Sequence, residues 1–346
     1  MNFSHKINII NRIFKSLFFN QIPNYAIVYV DGRCNMHCDF CCHAAMDARK
    51  SGRVSPSNWG YAFKRAKSLL HLTITGGEPF LRKDLTEIIS EIIDNCGVPR
   101  VSIKSNGFYI DRIEKDIPFL INKYPNTEFT LSISLDGPKN IHDKVRNFNG
   151  AYDRVIETLK TMEKHREKNN FFLRLASVLT NENKDFLPDF MDITQQWLID
   201  FHEVILIRDI PEEEQLKLKS IYKDLSEKQQ ERSSKNWKKS FNGKLFEKLY
   251  KETIKRLEKN SNHSPCVAGS RFVEIFPDGI VRGCEVEKLW DMSTIGKIEN
   301  RFDIIDVLKS KKAKDFANFA KKCSCTFECA NAISTVYDKK HWPSFI

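Results

Sequence analysis

The stretch Tyr25–Cys41, YAIVYVDGRCNMHCDFC, decides how the rest of the chain is interpreted. It begins with an unbroken apolar run, which is typical of a buried parallel strand. A loop with cysteines at positions 34, 38 and 41 follows directly. Three thiolates in one loop can bind three irons of a cubane cluster. The fourth iron then keeps a position open for a small molecule, as catalytic metal sites do.

Beyond this stretch the chain alternates between apolar runs and amphipathic segments. Strands are predicted at 25–31, 71–75, 100–105, 129–135, 171–179 and 203–208. Helices are predicted near 56–70, 83–95, 111–123, 151–168 and 184–199. Six strands separated by five helices predict an α/β fold with a parallel sheet, curved into a partial (β/α)6 TIM-type barrel. Chemistry is then expected at the carboxyl ends of the strands.

The flanking segments differ from this core in composition. The predicted division is an amphipathic N-terminal helix at 1–22, the core domain at 23–210, a Lys/Glu-rich helical bridge at 211–262 and a small cysteine-rich α+β module at 263–346. In the last part, Pro277-Asp278-Gly279 separates two short apolar runs and predicts a β-hairpin.

The N-terminal helix is expected to carry its apolar side chains on one face. These are Ile9, Ile10, Ile13, Phe14, Leu17 and Phe18. Packing against the protein's own barrel is the favoured interpretation, and weak contact with a membrane surface is the alternative.

Composition restricts the class of protein. The chain has 346 residues, a formal net charge of +10 and ten cysteines. The cysteines are closely spaced, as in metal sites, and the N-terminal segment does not have the pattern of a signal peptide. We therefore expect iron–sulfur ligation in a reducing cytoplasm rather than disulfides. No nucleic-acid-binding module with interleaved aromatic residues is apparent, so direct nucleic-acid contact is not expected.

The Cys-x3-Cys-x2-Cys loop after the first strand resembles the signature of the radical S-adenosylmethionine (SAM) superfamily. The resemblance implies that Cys34, Cys38 and Cys41 hold a [4Fe–4S] cluster whose open iron is chelated by SAM. Reductive cleavage of SAM would then give a 5′-deoxyadenosyl radical that abstracts hydrogen from a peptide or small-metabolite substrate. It also implies a reducing partner of the flavodoxin or ferredoxin type.

Further motifs extend this resemblance into a SAM pocket. Gly76-Gly77-Glu78-Pro79 follows the second strand and resembles the GGEP motif that binds the methionine amino group of SAM. The other pocket residues that we expect from position or resemblance are Phe40, Ser105, Asn106, Ser134, Asp136 and Arg146. Of these, Phe40 is implied to lie beside adenine, whereas Ser134 and Arg146 are implied to contact SAM. His142 is interpreted as capping a turn.

The C-terminal cysteines resemble the SPASM and shorter twitch modules, which hold auxiliary [4Fe–4S] clusters. Cys266 and Cys284 flank the predicted hairpin with the spacing Cys-x12-Gly-x4-Cys. The remaining candidates are Cys323, Cys325 and Cys329. Five thiols can fully ligate one cubane only, so a single auxiliary cluster is predicted, with Cys325 and Cys329 as the preferred completing pair. A structural zinc site in this module is the alternative.

Two other classes of protein compete with a SAM enzyme. One is an iron–sulfur electron carrier, and the other is a zinc protein that adds His37 or His43 to the first cysteine loop. Neither needs the GGEP-like motif. Cys42 is interpreted as a bystander thiol and Cys96 as a core thiol. The sequence leaves the substrate and the net reaction open.

Overall fold

The computed structural model describes residues 3–18, 22–41, 54–208, 210–232, 241–258, 263–286, 294–298 and 302–344. Cys42 and His43 lie outside the described residues, so the interpretations placed on them stay predictions.

A parallel sheet forms the centre of the fold. Its six core strands are β1 (Tyr25–Asp31), β2 (His71–Gly76), β3 (Arg100–Ser105), β4 (Glu128–Ser134), β5 (Phe171–Leu179) and β6 (Phe201–Leu206). Each pairs in parallel with the next. The predicted strand bounds are met within two residues, because these apolar runs are buried on both faces and therefore leave a clear signal. The predicted α/β class and partial barrel are confirmed.

Helices join the core strands in the expected order. They are α2 (Pro56–Phe63), α3 (Leu85–Cys96), α4 (Ile110–Lys123), α5 (Lys139–Val145), α6 (Ala151–Glu163) and α7 (Leu187–Thr194). Ser55 caps α2 by accepting a hydrogen bond from the amide of Asn58, and Gly97 ends α3 in the left-handed conformation. Helix α2 is shorter than predicted because turns occupy 64–70 before β2 begins. Cys96 is buried, in keeping with a core thiol.

The C-terminal strands continue the same sheet. Strand β7 (Phe272–Ile275) pairs in parallel with β1, and β8 (Ile280–Arg282) and β9 (Thr294–Lys297) follow in antiparallel order. In the described part of the chain the strand order is β6-β5-β4-β3-β2-β1-β7-β8-β9, and the sheet is open. The predicted hairpin is present, with Gly279 at φ +87° in its turn. The cysteine-rich segment is thus hydrogen-bonded to the strand that precedes the first cysteine loop.

Helices from the bridge and the C-terminus complete the fold. They are α8 (Glu212–Lys217), α9 (Lys219–Arg232), α10 (Phe241–Leu257), α11 (Ile304–Lys309), α12 (Lys311–Ala320) and α13 (Glu328–Tyr337). A small internal chamber of about 50 Å³ lies between strand side chains such as Tyr25 and His71 and the α10–α13 pair. Tyr250 and Leu257 of the bridge are buried, so this Lys/Glu-rich segment also provides a packing surface.

The N-terminal helix α1 (Phe3–Phe18) docks through polar as well as apolar contacts. The Arg12 guanidinium donates to four backbone carbonyls, those of Lys67, Leu69, Cys96 and Gly97. Ile9 is buried against the protein.

The apolar side chains of α1 do not share one environment, however: Ile7, Ile10 and Phe14 are exposed. The helix therefore packs on the barrel as favoured, but Arg12 rather than a continuous apolar face fixes its orientation. Among the described residues, no helix combines the length and the apolar character needed to cross a membrane.

Candidate active site

A cavity of about 210 Å³ opens where the core strands end. The cysteine loop and the ends of β2, β3, β4, β5 and β6 contribute to its wall. Predicted site residues that line it are Cys34, Cys38, Phe40, Cys41, Gly76, Gly77, Ser105, Asn106, Ser134 and Arg146. Glu78, Pro79 and Asp136 are buried behind that wall.

Close backbone contact joins the GGEP-like segment to the start of the cysteine loop. The amide of Gly77 donates to the carbonyl of Asp31, and the amide of Glu78 donates to that of Arg33, both at 2.8 Å. A Cβ on Gly77 would lie 2.2 Å from the Arg33 oxygen, and one on Gly76 would lie 2.2 Å from the Asp31 oxygen. Only glycine permits this approach, so the two loops are held together by their backbones.

The Glu78 carboxylate fixes the end of β3 instead of facing the cavity. Its Oε1 accepts from Ser105 Oγ at 3.0 Å and from the Phe80 amide at 3.1 Å, and its Oε2 accepts from the Asn106 amide at 2.8 Å. Burial raises the pKa of Glu78 to about 7 although these donors favour the charged form. Glu78 therefore positions Ser105 and Asn106, which do line the cavity.

Asn106 connects the end of β3 to the cysteine loop. Its Nδ2 donates to Asn35 Oδ1 at 2.8 Å and lies 3.7 Å from the Cys34 sulfur. Its Oδ1 accepts from the Phe108 amide at 3.0 Å. The amide is thus held at both ends, and one end faces the first cysteine.

Arg146 forms the other side of the cysteine loop's surroundings. Its Nε donates to Asp136 Oδ2 at 2.6 Å, its Nη1 lies 3.6 Å from the Cys38 sulfur, and its guanidinium lies 5.1 Å from the centre of the Phe40 ring. Burial alone would raise the pKa of Asp136, but the charge of Arg146, together with contributions from His142 and the Arg146 hydrogen bond, outweighs it and holds that pKa well below its usual range. Arg146 is therefore a fixed cation at the cavity wall.

His142 has the turn-capping role expected for it. Its Nδ1 accepts a hydrogen bond from the Asp136 amide at 3.1 Å. Burial lowers the pKa of His142, which favours the neutral ring that this bond requires.

The cysteines of the first loop are half-buried thiols near one another. Burial raises the pKa of Cys34 to about 11, and it also raises that of Cys38, where the Arg146 charge opposes it. Iron binds thiolates, so metal binding at this loop releases protons. Burial opposes that release, whereas the Arg146 charge favours it at Cys38.

Single-ion coordination is a separate question. Among the described residues, no three His, Cys, Asp or Glu side chains converge as ligands of one metal ion. The thiolates of a cubane each bind a different iron and do not need that convergence. The residues of the loop fit such a cluster by number and chemistry.

Four of the five C-terminal cysteines affect one another's pKa values. A hydrogen bond with Cys323, followed by burial, raises the pKa of Cys325 well above its ordinary value, and the charge of Cys284 adds to the effect. Burial raises the pKa of Cys266, with a further contribution from Cys323. These four thiols are therefore mutual neighbours.

Cys329 has other neighbours, which differs from the preferred pairing of Cys325 with Cys329. It lies in the first turn of α13 and lines the internal chamber with Tyr25 and Lys104. Burial raises the pKa of Cys329 to about 12, while Lys104 and a hydrogen bond with Tyr25 oppose the rise. Helix geometry explains the difference, because the turn that begins at Glu328 directs position 329 toward the sheet.

One arginine of the bridge holds the C-terminal cysteine segments together. Arg256 of α10 donates to the carbonyls of Cys323 and Cys325 at 3.0 and 3.2 Å, and also to that of Ser264 near Cys266. Glu252, one turn earlier, accepts from the Ser264 amide at 2.8 Å. The charged bridge is thus a scaffold for the thiol cluster as well as a solvated surface.

Comparison with known proteins identifies the central region of the chain. Residues 28–192 match the radical SAM superfamily and include the cysteine loop and most residues of the cavity wall just described. This region is a radical SAM domain. The cofactors of its core domain are a [4Fe–4S] cluster and SAM, as the motifs predicted. Enzymes of this superfamily act with a reductant on peptide or small-molecule substrates. Neither the electron-carrier alternative nor the zinc alternative gains support.

Curated relatives of the chain are distant. A probable GTP 3′,8-cyclase of Methanocaldococcus jannaschii is 24% identical over 281 residues, which cover 78% of this chain and 87% of the relative. The sporulation killing factor maturation protein SkfB of Bacillus subtilis is 23% identical over 175 residues, covering 50% of this chain and 40% of the relative.

Solved structures share the fold. The enzyme anSMEcpe with bound AdoMet superposes with a TM-score of 0.62 at 18% identity, covering 90% of this chain and 88% of that one. SuiB of Streptococcus suis bound to precursor peptide SuiA superposes with a TM-score of 0.59 at 15% identity, covering 95% and 77%.

Sequence reasoning missed three residues that line the cavity or support its loop. Lys104 and Arg208 line it, and Asn35 binds Asn106. Arg208 could have been found, because it stands at the carboxyl end of the sixth predicted strand, where chemistry is expected. Lys104 left no signal, because a lysine in a strand ordinarily faces solvent.

We predict that Asp136→Asn destabilises the apoprotein by about 3 kcal/mol, because it leaves the buried Arg146 charge without its partner. The matched control is Asp153→Asn, which removes an exposed partner of Lys139 and should cost less than about 1 kcal/mol. Anaerobic urea denaturation measures both. Equal unfolding free energies for the two variants would show that Asp136 does not hold Arg146 in place.

Proposed function

We propose that Cys34, Cys38 and Cys41 hold the [4Fe–4S] cluster of this enzyme and that SAM occupies the cavity beside them. The observation that carries this is the convergence of the cysteine loop with the GGEP-like segment on one cavity wall. The bound cluster and SAM would together supply a 5′-deoxyadenosyl radical, which abstracts hydrogen from the substrate.

The pocket residues divide into those that contact SAM and those that position them. Gly76 and Gly77 leave their backbone open to the cavity for the methionine end of SAM. Ser134 offers a hydroxyl, and Arg146 offers a fixed guanidinium for the SAM carboxylate. Phe40, already stacked on Arg146, provides a flat apolar surface for adenine.

Two buried carboxylates position the residues that line the cavity. Glu78 holds Ser105 and Asn106, and Asp136 holds Arg146.

The auxiliary cluster is assigned to Cys266, Cys284, Cys323 and Cys325. Support comes from the hydrogen bond between Cys323 and Cys325, from the effects of these thiols, Cys266 and Cys284 on one another's pKa values, and from Arg256, which binds the segments of Cys266, Cys323 and Cys325. Four protein ligands occupy every iron, so this cluster would pass electrons or stabilise the module and would not bind substrate directly. Cys329 would stay a free thiol in the internal chamber.

The substrate is a peptide or a small metabolite. The fold shared with SuiB, which was solved with a precursor peptide, supports the peptide, and similarity to GTP 3′,8-cyclases supports the metabolite. A flavodoxin- or ferredoxin-type partner would supply electrons. Weak membrane contact through α1, the cytoplasmic location, the absence of nucleic-acid contact and the four domain boundaries stay predictions.

Anaerobic reconstitution tests the first assignment. We expect about eight irons per chain, falling to about four when Cys34, Cys38 and Cys41 are all replaced by Ala. 5′-Deoxyadenosine should form on reduction with SAM in the wild type and not in this triple variant. Cys96→Ala is the control, because that buried thiol lies outside both sets and its loss should leave the iron content unchanged. Zinc in place of iron, or unchanged 5′-deoxyadenosine in the triple variant, would refute the assignment.

The auxiliary assignment has its own test. Cys323→Ser should lower the iron content to about four per chain, whereas Cys329→Ser should retain about eight, because Cys323 hydrogen-bonds with Cys325 while Cys329 lies beside Tyr25 and Lys104. Iron content and the Mössbauer spectrum of each variant measure this. Loss of four irons on replacing Cys329 instead would restore the pairing favoured from the sequence.

A further inference from the structure

We infer that Lys104 and Arg208 form a subsite for an anionic group of the substrate, a phosphate or a carboxylate. The inference rests on the proposed function, because it places the substrate in the same cavity as SAM. It adds the chemical class that the substrate must contain and the two residues that would recognise it.

The charge of the cavity wall is the first argument. Three cationic side chains line it, Lys104, Arg146 and Arg208, and no Asp or Glu is among its described lining residues. Arg146 is already engaged by Asp136, Cys38 and Phe40 at the cysteine loop. Lys104 and Arg208 have no role in the proposed binding of SAM.

Lys104 shares its carboxylate partner with a second cation. Its Nζ lies 3.1 Å from Glu203 Oε2, and Arg174 lies 3.3 Å from the same oxygen. Arg174 and Glu203 are 4% and 7% exposed, whereas Lys104 is 28% exposed, although it lies on the inner side of the barrel. Of these three charged groups, Lys104 is therefore the one that lines the cavity.

The pKa of Lys104 agrees with this arrangement. Burial and then the Arg174 charge lower it, while Glu203 opposes the change. An anion in the cavity would offset the first two effects and stabilise the charged amine.

Arg208 is held in place beside this position. Its guanidinium pairs with Glu285 and lies 4.7 Å from the centre of the Phe327 ring, so the planar group is fixed from two sides. Its side chain is 22% exposed. A guanidinium held in this way has a fixed plane and a fixed charge, which suits the paired oxygens of a phosphate or carboxylate.

Apolar residues complete the subsite. Val178, Ile205 and Ile207 line the same cavity. A substrate that places an apolar portion on this wall could direct an anionic group at Lys104 and Arg208. Phenyl phosphate and benzoate have this combination and serve as probes, and benzamide is the matched uncharged control.

Calorimetric titration of the SAM-loaded holoenzyme tests the inference. We expect saturable binding of phenyl phosphate, benzoate or both, and none of benzamide. Lys104→Gln and Arg208→Gln should each weaken anion binding by about 10-fold or more. Lys104→Arg, which keeps the charge, should bind within about threefold of the wild type. Lys311→Gln, at a highly exposed site outside the cavity, should behave as the wild type.

The outcomes separate the two proposals. Preference for phenyl phosphate would identify a phosphate group and preference for benzoate a carboxylate, and either upholds the subsite. Equal anion affinities in the wild type and Lys104→Gln, or no anion binding by the wild type, would overturn it. An equal loss of SAM affinity in Lys104→Gln would assign the residue to SAM and also overturn it. Failure of the wild type to form 5′-deoxyadenosine would instead refute the proposed function.

Discussion

The backbone contact between Gly77, Glu78 and residues 31–33 is the constraint on which the site depends. Two 2.8 Å hydrogen bonds join the ends of β1 and β2, and the space between the chains leaves no room for a Cβ at positions 76 or 77. The cysteine loop therefore starts from a fixed point. Glu78 accepts a hydrogen bond from the Asn106 amide at the end of β3, and the Asn106 side chain lies beside the Cys34 sulfur. Three strand ends are thereby locked around one cavity.

Electrostatics complement this geometry. Burial disfavours the thiolates that iron requires, as the raised pKa values of Cys34 and Cys38 show. A fixed cation opposes that penalty at Cys38, since Asp136 holds Arg146 within reach of the sulfur. The buried ion pair thus costs desolvation but places charge where metal binding needs it. A similar arrangement occurs at the cavity's inner wall, where the buried carboxylates of Glu203 and Glu285 pair with the cations of Lys104 and Arg208.

Much of the core could be predicted from the sequence because its signals are local. Strands such as 25–31 and 171–179 are continuous apolar runs, and the cysteine loop and the GGEP-like segment lie at strand ends, where the fold places chemistry. The hairpin turn was equally visible, because Gly279 adopts a positive φ that other residues avoid.

Other features depend on long-range contacts. The parallel pairing of β7 with β1 joins residues about 250 positions apart, and no periodic pattern in the sequence indicates which strands pair. The separation of Cys329 from the other C-terminal thiols depends on where α13 begins. Lys104 and Arg208 are recognisable only once the carboxylates behind them are seen.

The central claim is that one iron of the first cluster is open and that SAM chelates it. Electron paramagnetic resonance of the reduced cluster, with SAM labelled with ¹⁵N or ¹⁷O at its methionine end, tests this directly. The Cys266→Ala/Cys284→Ala variant removes the proposed auxiliary signal. The account predicts hyperfine coupling from the amino nitrogen and a carboxylate oxygen. A spectrum unchanged by labelled SAM would contradict it.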